Sequence, residues 1–306
     1  MCSGEVADIL RRELGPDAPE RVMALIRGES DSPLQGLISG SIDLDKLDYL
    51  RRDAFMCGVS YGEIDVDRLL NALTLVRDPE TGALKVGMVE KGLSALESLL
   101  FAKYQMYRNV YLHHAVRSAT AMYKRLVADA LDAGALDAGT LAGFTDEGIL
   151  QHLASAAPTP ILSALRGRRL FKRAFECPAA SLPADAGEWI ADDRALTLAA
   201  ESALAHEIGL RPGELLLDYP EKTEMLGLDI LVQRRHGEVE RLTSAGAEGT
   251  INIPKLSHEF YQSARWLRVF TSVRTPLNSA AVVRLARQTA GEVRDRIAGG
   301  VSLLGA

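Results

Sequence analysis

Asp45, Lys46, Tyr49 and Asp53 lie in the segment Ile42-Asp43-Leu44-Asp45-Lys46-Leu47-Asp48-Tyr49-Leu50-Arg51-Arg52-Asp53-Ala54-Phe55. At about 100° per residue of helix they share one arc of ~100°, with Leu44, Leu47 and Phe55 on the opposite side. A carboxylate beside an ammonium and a phenol suits a phosphorylated ligand. Asp can hold a divalent cation, Lys neutralises phosphate charge, and Tyr stacks or donates a hydrogen bond. A solvated charged face laced with i,i+4 pairs has the same pattern, and spacing alone leaves both open.

A second set sits in residues 92 to 131, which contain no proline and no glycine after Gly92. Such a run predicts a helix of roughly 60 Å or a broken pair. On a continuous wheel Lys103, Tyr107, Tyr111 and His114 share an arc of ~80°. Two adjacent residues of a helix cannot present both rings to one face, so His113 and His114 are expected to serve helix packing or a ligand contact by one ring. Arg166, Arg168, Arg169, Lys172 and Arg173 form a concentrated basic patch, read either as a solvated strand edge or as an anion site. Cys57 is expected to be a small buried residue, and Trp189 and Trp266 to anchor a core or an interface.

The elements that must position these groups are mostly helical. Helices are predicted over residues 5 to 14, around Val22 to Ile26, from Asp43 to Cys57 with a stop at Gly58, and from Asp65 to Leu73. Asp146 is the expected cap of a helix running to His152, and a further helical run follows Pro160. Leu84 to Val89 and the stretch leading to Phe175 read as strands. The last third mixes a helix over 192 to 208, a short apolar run at Leu215 to Leu217, alternation from Ile230 to Leu242, and a turn over 246 to 250. Helices are expected over 254 to 270 and 279 to 297.

Composition frames these sites. The chain has 306 residues, 47% hydrophobic and 25% charged, as in an ordinary folded protein large enough to bury a core. Its 35 Lys and Arg against 41 Asp and Glu give a net charge of -6, which argues against a broad nucleic-acid binder. Any phosphate site must therefore be local. The three cysteines are widely spaced without a Cys-x-x-Cys pair, consistent with a reducing cytoplasm. The N-terminus has no signal-like apolar segment and no run of about 18 apolar residues occurs, so neither secretion nor a membrane partner is expected.

The stretch Leu37 to Asp53, followed by Gly58-Val59-Ser60-Tyr61-Gly62, resembles the downstream signature of the HD-domain dNTP triphosphohydrolases, the dGTPase-like bacterial relatives of the sterile-alpha-motif HD dNTPase. The resemblance continues in Tyr107 to Arg117, similar to the family's Tyr-x-His-Lys helix, and in Arg168 to Arg173, covering about residues 5 to 235. It implies a mainly α, HD-like helical bundle, incomplete at its N-terminus, over residues 1 to 160. A smaller α+β region is expected over 161 to 306. It further implies Asp45 as a metal ligand, Lys46 as a phosphate contact, Tyr49 as a substrate-packing residue and Asp53 as a contact to the sugar. Lys103, Tyr107 and Tyr111 fall where the family places phosphate- and sugar-contacting residues.

Lys103 stands where relatives often carry Arg, and His114 replaces a Lys. The larger departure concerns the metal, which is Mn, Mg, Fe or Zn in the intact family. The upstream His and the His-Asp dipeptide that hold it are missing. The six histidines, His113, His114, His152, His206, His236 and His258, all follow Asp45 and none precedes an aspartate. One carboxylate does not hold a catalytic metal. The resemblance therefore implies a phosphohydrolase that releases nucleoside and triphosphate, present here in a truncated or inactive form. A non-catalytic nucleotide-binding protein, regulatory and homo-oligomeric, is the rival, and a phosphatase for another phosphoester is a third reading.

Overall fold

The computed structural model describes residues 3–221, 229–242, 259–260 and 262–305. Cys2, His258 and the turn expected over 246 to 250 lie outside them. The fold is mainly α, and the chain divides into two compact units that alternate along the sequence. The first comprises residues 1–107 and 224–261, the second 108–223 and 262–306. The regions 1 to 160 and 161 to 306 remain a proposal about the extent of the family's parts, a different division from this spatial one.

The first unit begins with α1 (Glu5–Leu14), α2 (Ala18–Arg27) and the single turn α3 (Gly36–Ser39). Helix α4 (Leu44–Cys57) carries the first candidate set. Asp43 starts it, accepting a hydrogen bond from the Lys46 amide, and Gly58 ends it in the left-handed conformation, φ 65°, that a side chain would strain. Its buried stripe is Leu47, Leu50 and Ala54, the 3- and 4-residue spacing of a single helix face. Phe55, expected on that face, is instead 82% exposed, because one residue beyond Ala54 the helix has turned by about 100°. Leu44, on the first turn, is also exposed. Cys57 is exposed too, against the expectation of a buried residue.

Helix α5 (Val66–Ala72) runs directly into a strand the sequence reading did not anticipate, β1 (Leu73–Arg77). It pairs antiparallel with β2 (Leu84–Val89), Leu73 opposite Met88. Beyond β2 the sheet continues with β5 (Ile230–Gln233), parallel, and β6 (Val239–Leu242), antiparallel, in the order β1-β2-β5-β6. Sheet structure is thus not confined to the C-terminal part. Helix α6 (Leu93–Met106) packs on α4 and α5 and is buried along Ala95, Leu96, Leu99, Leu100 and Ala102.

The second unit begins at Arg108, within the break in the long helical run. A π turn, Tyr107–Tyr111, follows α6, and α7 (His114–Asp132) restarts after it with His113 as cap. The broken pair is the form adopted. Helices α8 (Asp146–Ala156) and α9 (Pro160–Arg166) follow, each started by a threonine, Thr145 and Thr159. Asp146 is therefore a first-turn acid and Thr145 the cap.

Strand β3 (Lys172–Pro178) leads to α10 (Glu188–Asp192) and α11 (Arg194–Glu207), then to β4 (Leu215–Asp218) and β7 (Trp266–Thr271). The sheet order is β3-β7-β4, both pairings antiparallel. From Trp266 onward the helix expected over 254 to 270 is therefore a central strand. Leu267, Val269 and Phe270 are apolar enough for either structure, and pairing on both sides decides it. Helix residues 279 to 297 form two pieces, Ser279–Ala286 and Ala290–Ala298, the second opened by a Thr289/Glu292 capping box. Two apolar clusters fill this unit, one around Trp189, Leu215 and Leu267, the other around Met122, Leu153 and Phe270. The buried pair Arg125–Glu201, 2.9 Å apart, ties α7 to α11, and Glu201 also accepts the Leu217 amide of β4 at 2.9 Å.

Candidate functional site

In the first unit α4 and α6 bring four of the expected residues into mutual electrostatic reach: Lys46 and Tyr49 from α4, Lys103 and Tyr107 from the end of α6 and the turn after it. The Lys46 ammonium donates to Asp43 Oδ2 at 2.5 Å and to the Gly40 carbonyl at 3.0 Å, while its amide donates to Asp43 Oδ1 at 2.9 Å. Lys103 Nζ lies 5.7 Å from the centroid of the Tyr107 ring, within cation–π range. Burial first, and then the Lys46 charge, lower the Lys103 pKa to about 8 against the opposing pull of Asp43. The Tyr49 phenol is pushed well above its ordinary value by burial first, then by Tyr107, with which it shares a hydrogen bond, and by Asp43 and Asp45. At neutral pH the Tyr49 phenol therefore stays protonated and can donate.

Asp45 is exposed on the first turn of α4, where its charge suits the helix dipole. Asp53 lies two turns further on and is partly buried. Among the described residues no group of three or more His, Cys, Asp or Glu is gathered to hold a metal ion. Asp45 with its described surroundings therefore does not by itself make a divalent cation site. Asp43, absent from the set expected on sequence, proves to be the carboxylate that holds Lys46. Its signal was the helix start itself, an Asp three residues before Lys46.

The continuous wheel that joined Lys103, Tyr107, Tyr111 and His114 does not hold, because the π turn and the His113 cap alter the rotation per residue. Tyr111 closes that turn and His114 opens α7, both in the second unit. The same break changes the histidine pair. His113 Nδ1 accepts the Ala115 amide at 3.3 Å as a cap, and this non-helical backbone lets its ring meet that of His114, centroids 4.2 Å apart.

His114 also lines a cleft of about 660 Å³ in the second unit, together with Arg168, Phe171, Lys172, Arg173 and Arg274. Burial lowers the His114 pKa first, and the charges of His113, Arg173 and Arg268 lower it further. Arg268, on β7, is buried, and its Nη1 has no hydrogen-bond partner among the described residues; Nε stands 3.7 Å from Glu176. Part of the basic patch is spoken for. Arg166 pairs with Glu147, Arg173 with Glu176 at 2.6 Å, and Arg169 donates to the Ser163 carbonyl at 3.3 Å.

Residues 64–247 match the family model described as the HD associated region. The chain is 39% identical over 117 residues to an uncharacterized protein of Methanocaldococcus jannaschii, covering 38% of this chain and 26% of that protein. It is 35% identical over 124 residues to the uncharacterized protein YwfO of Bacillus subtilis, covering 40% and 27%. These matches thus span about a quarter of each relative's length. Among solved structures, a phosphohydrolase of Bacteroides thetaiotaomicron superposes with a TM-score of 0.60 at 18% identity, over 88% of this chain and 70% of that one. A hypothetical protein of Aquifex aeolicus gives 0.60 at 22% identity, over 96% and 69%. These two establish a shared fold.

Proposed function

The chain belongs to the HD-associated region family, and from that premise we propose that it is the nucleotide-holding part of an HD-superfamily phosphohydrolase, one that acts on deoxynucleoside triphosphates. The observation that carries the reading is the placement of Lys46 and Tyr49 on α4, which packs on α6 carrying Lys103, with Lys103 over the Tyr107 ring and Tyr107 hydrogen-bonded to Tyr49. Two ammoniums match a polyphosphate, and the phenols offer donors and ring faces to a sugar or base. Asp53 belongs to the proposal as a further substrate contact within the first unit, and Asp45 as one ligand of a divalent metal whose other ligands the described residues do not supply. The family's reaction, water attacking the α-phosphate to give nucleoside and triphosphate, is expected only with a complete metal site.

For the 306-residue chain the reading therefore predicts binding without turnover. Calorimetry with inorganic tripolyphosphate and with dGTP should show binding that Lys46→Ala or Lys103→Ala each weakens about tenfold or more, as loss of a charge-assisted contact does. Incubation with dGTP and Mn²⁺ or Mg²⁺ should release no triphosphate; release would overturn the binding-only reading. A second reading is favoured by the cationic cleft of the second unit. There the chain binds a nucleotide as an effector, in a regulatory and homo-oligomeric role. Lys172→Ala, rather than the α4 and α6 variants, would then abolish binding.

A further inference from the structure

We propose that His114 makes the cleft of the second unit a proton-linked anion site: a dianion of the phosphate or sulfate class and a proton on the imidazole enter together, so the cleft fills as pH falls. The inference rests on the second reading, in which this cleft takes an anion, and adds a dependence on pH that permanent cations alone do not confer.

The cleft is lined by Arg168, Lys172, Arg173 and Arg274 together with His114, and by no carboxylate. Its volume of about 660 Å³ is that of a small-molecule site. The acid beside it, Glu176, is engaged by two guanidiniums, that of Arg173 at 2.6 Å and that of Arg268 at 3.7 Å. Arg268 is buried, and its Nη1 has no hydrogen-bond partner among the described residues. One carboxylate between two guanidiniums leaves positive charge in surplus on that wall. Arg168 holds φ at 53°, the one left-handed non-glycine backbone among the described residues, a conformation kept where the surroundings impose it.

The two histidines divide their duties. His113 Nδ1 accepts the Ala115 amide at 3.3 Å to start α7, so a proton on that nitrogen would break the cap. The His114 ring meets the His113 ring with centroids 4.2 Å apart, and it is His114 that lines the cleft. The charged groups about it are Arg173 and Glu176 on β3 and Arg268 on β7; Arg117, one turn along α7, is paired with Asp218 at 2.9 Å. Burial, and then His113, Arg173 and Arg268, hold the imidazole below its ordinary pKa against Glu176. A bound dianion reverses that balance. It offsets the neighbouring cations and accepts a hydrogen bond that is stronger from an imidazolium than from a neutral ring. Linkage is reciprocal, so the proton that the anion draws from solvent onto His114 tightens the hold on the anion by the same factor.

The test uses sulfate, whose charge is constant between pH 5.5 and 8.0, added to the 306-residue chain at fixed ionic strength and followed by the backbone amide NMR signals of residues 168–174. The unsubstituted protein should bind sulfate about tenfold more tightly at pH 5.5 than at pH 8.0, the worth of one charge-assisted contact. His114→Lys keeps a cation throughout and should bind tightly at both pH values, whereas His114→Gln should bind weakly at both. Equal affinity at the two pH values in the unsubstituted protein, or a pH dependence that survives in either variant, overturns the linkage and leaves the cleft an anion site. Signals of 168–174 that sulfate leaves unmoved at both pH values, in the unsubstituted protein and in His114→Lys alike, overturn the anion cleft and the linkage with it. Either variant decides the matter if the other does not fold.

Discussion

Lys103 is held with its pKa near 8, below the 10.5 of a free lysine, by burial and by Lys46. Two consequences follow from the sign of that shift. Between about pH 8 and 10.5 the unfolded chain binds the proton that the folded one has released, so stability attributable to Lys103 rises with pH over that window. Below pH 8 the fold carries the cost of a partly buried ammonium. Lys103→Met should therefore stabilise the protein at pH 7, by on the order of 1–2 kcal/mol once solvent screening is allowed for, and the gain should vanish toward pH 10.5 in thermal melts. Binding runs the other way, and tripolyphosphate affinity should fall as pH rises through about 8. At this scale the sequence showed which residue types stand near one another in α4. It could not show that Asp43 would cap α4 and pair with Lys46, since cap geometry depends on where the first helical turn begins, a boundary that residue spacing leaves loose by a residue or two.

At the scale of elements, legibility followed the range of the forces involved. Helices α1, α2, α4 and α11 emerged from local signals, periodic apolar residues and capping or glycine stops. Strands β1 and β7 did not. β1 begins at the residue after α5 ends, so its apolar residues read as the helix running on; β7 lies between β3 and β4, whose residues are far along the chain, and a short apolar run looks alike in a helix and in a central strand. A broken pair was one of the two forms open to the long run after Gly92, but the position of the break was not legible, because no proline or glycine marks it and the cap is a histidine. The β2 strand offers a sharp test of the sheet. A Cβ on Gly87 would approach the Leu231 carbonyl oxygen to 2.5 Å and Val76 Cγ2 to 2.6 Å, both inside contact distance. Backbone on one side and a packed β-branched side chain on the other leave no room to yield. Gly87→Ala should cost about 1–3 kcal/mol by overpacking, read as a lower midpoint in urea with an unchanged slope.

On the scale of the whole molecule, the net charge of -6 coexists with two cation-rich places, one in each unit. Global charge governs long-range encounter, whereas binding of a phosphate is decided within a Debye length of about 8–10 Å. The chain's two units also explain why a linear reading of domains is difficult. Each is assembled from two separate stretches, and residues 224–261 return to the first unit only after the second has begun. Both tryptophans of the chain, Trp189 and Trp266, belong to the second unit, and the Trp266 ring lies 5.9 Å from the Arg268 guanidinium carbon beside the cationic cleft. The protein therefore carries a native optical label on one unit alone. Indole emission that moves on adding tripolyphosphate would place the ligand in the cleft, while heat of binding with silent emission and an altered tyrosine absorbance would place it between Lys46 and Lys103.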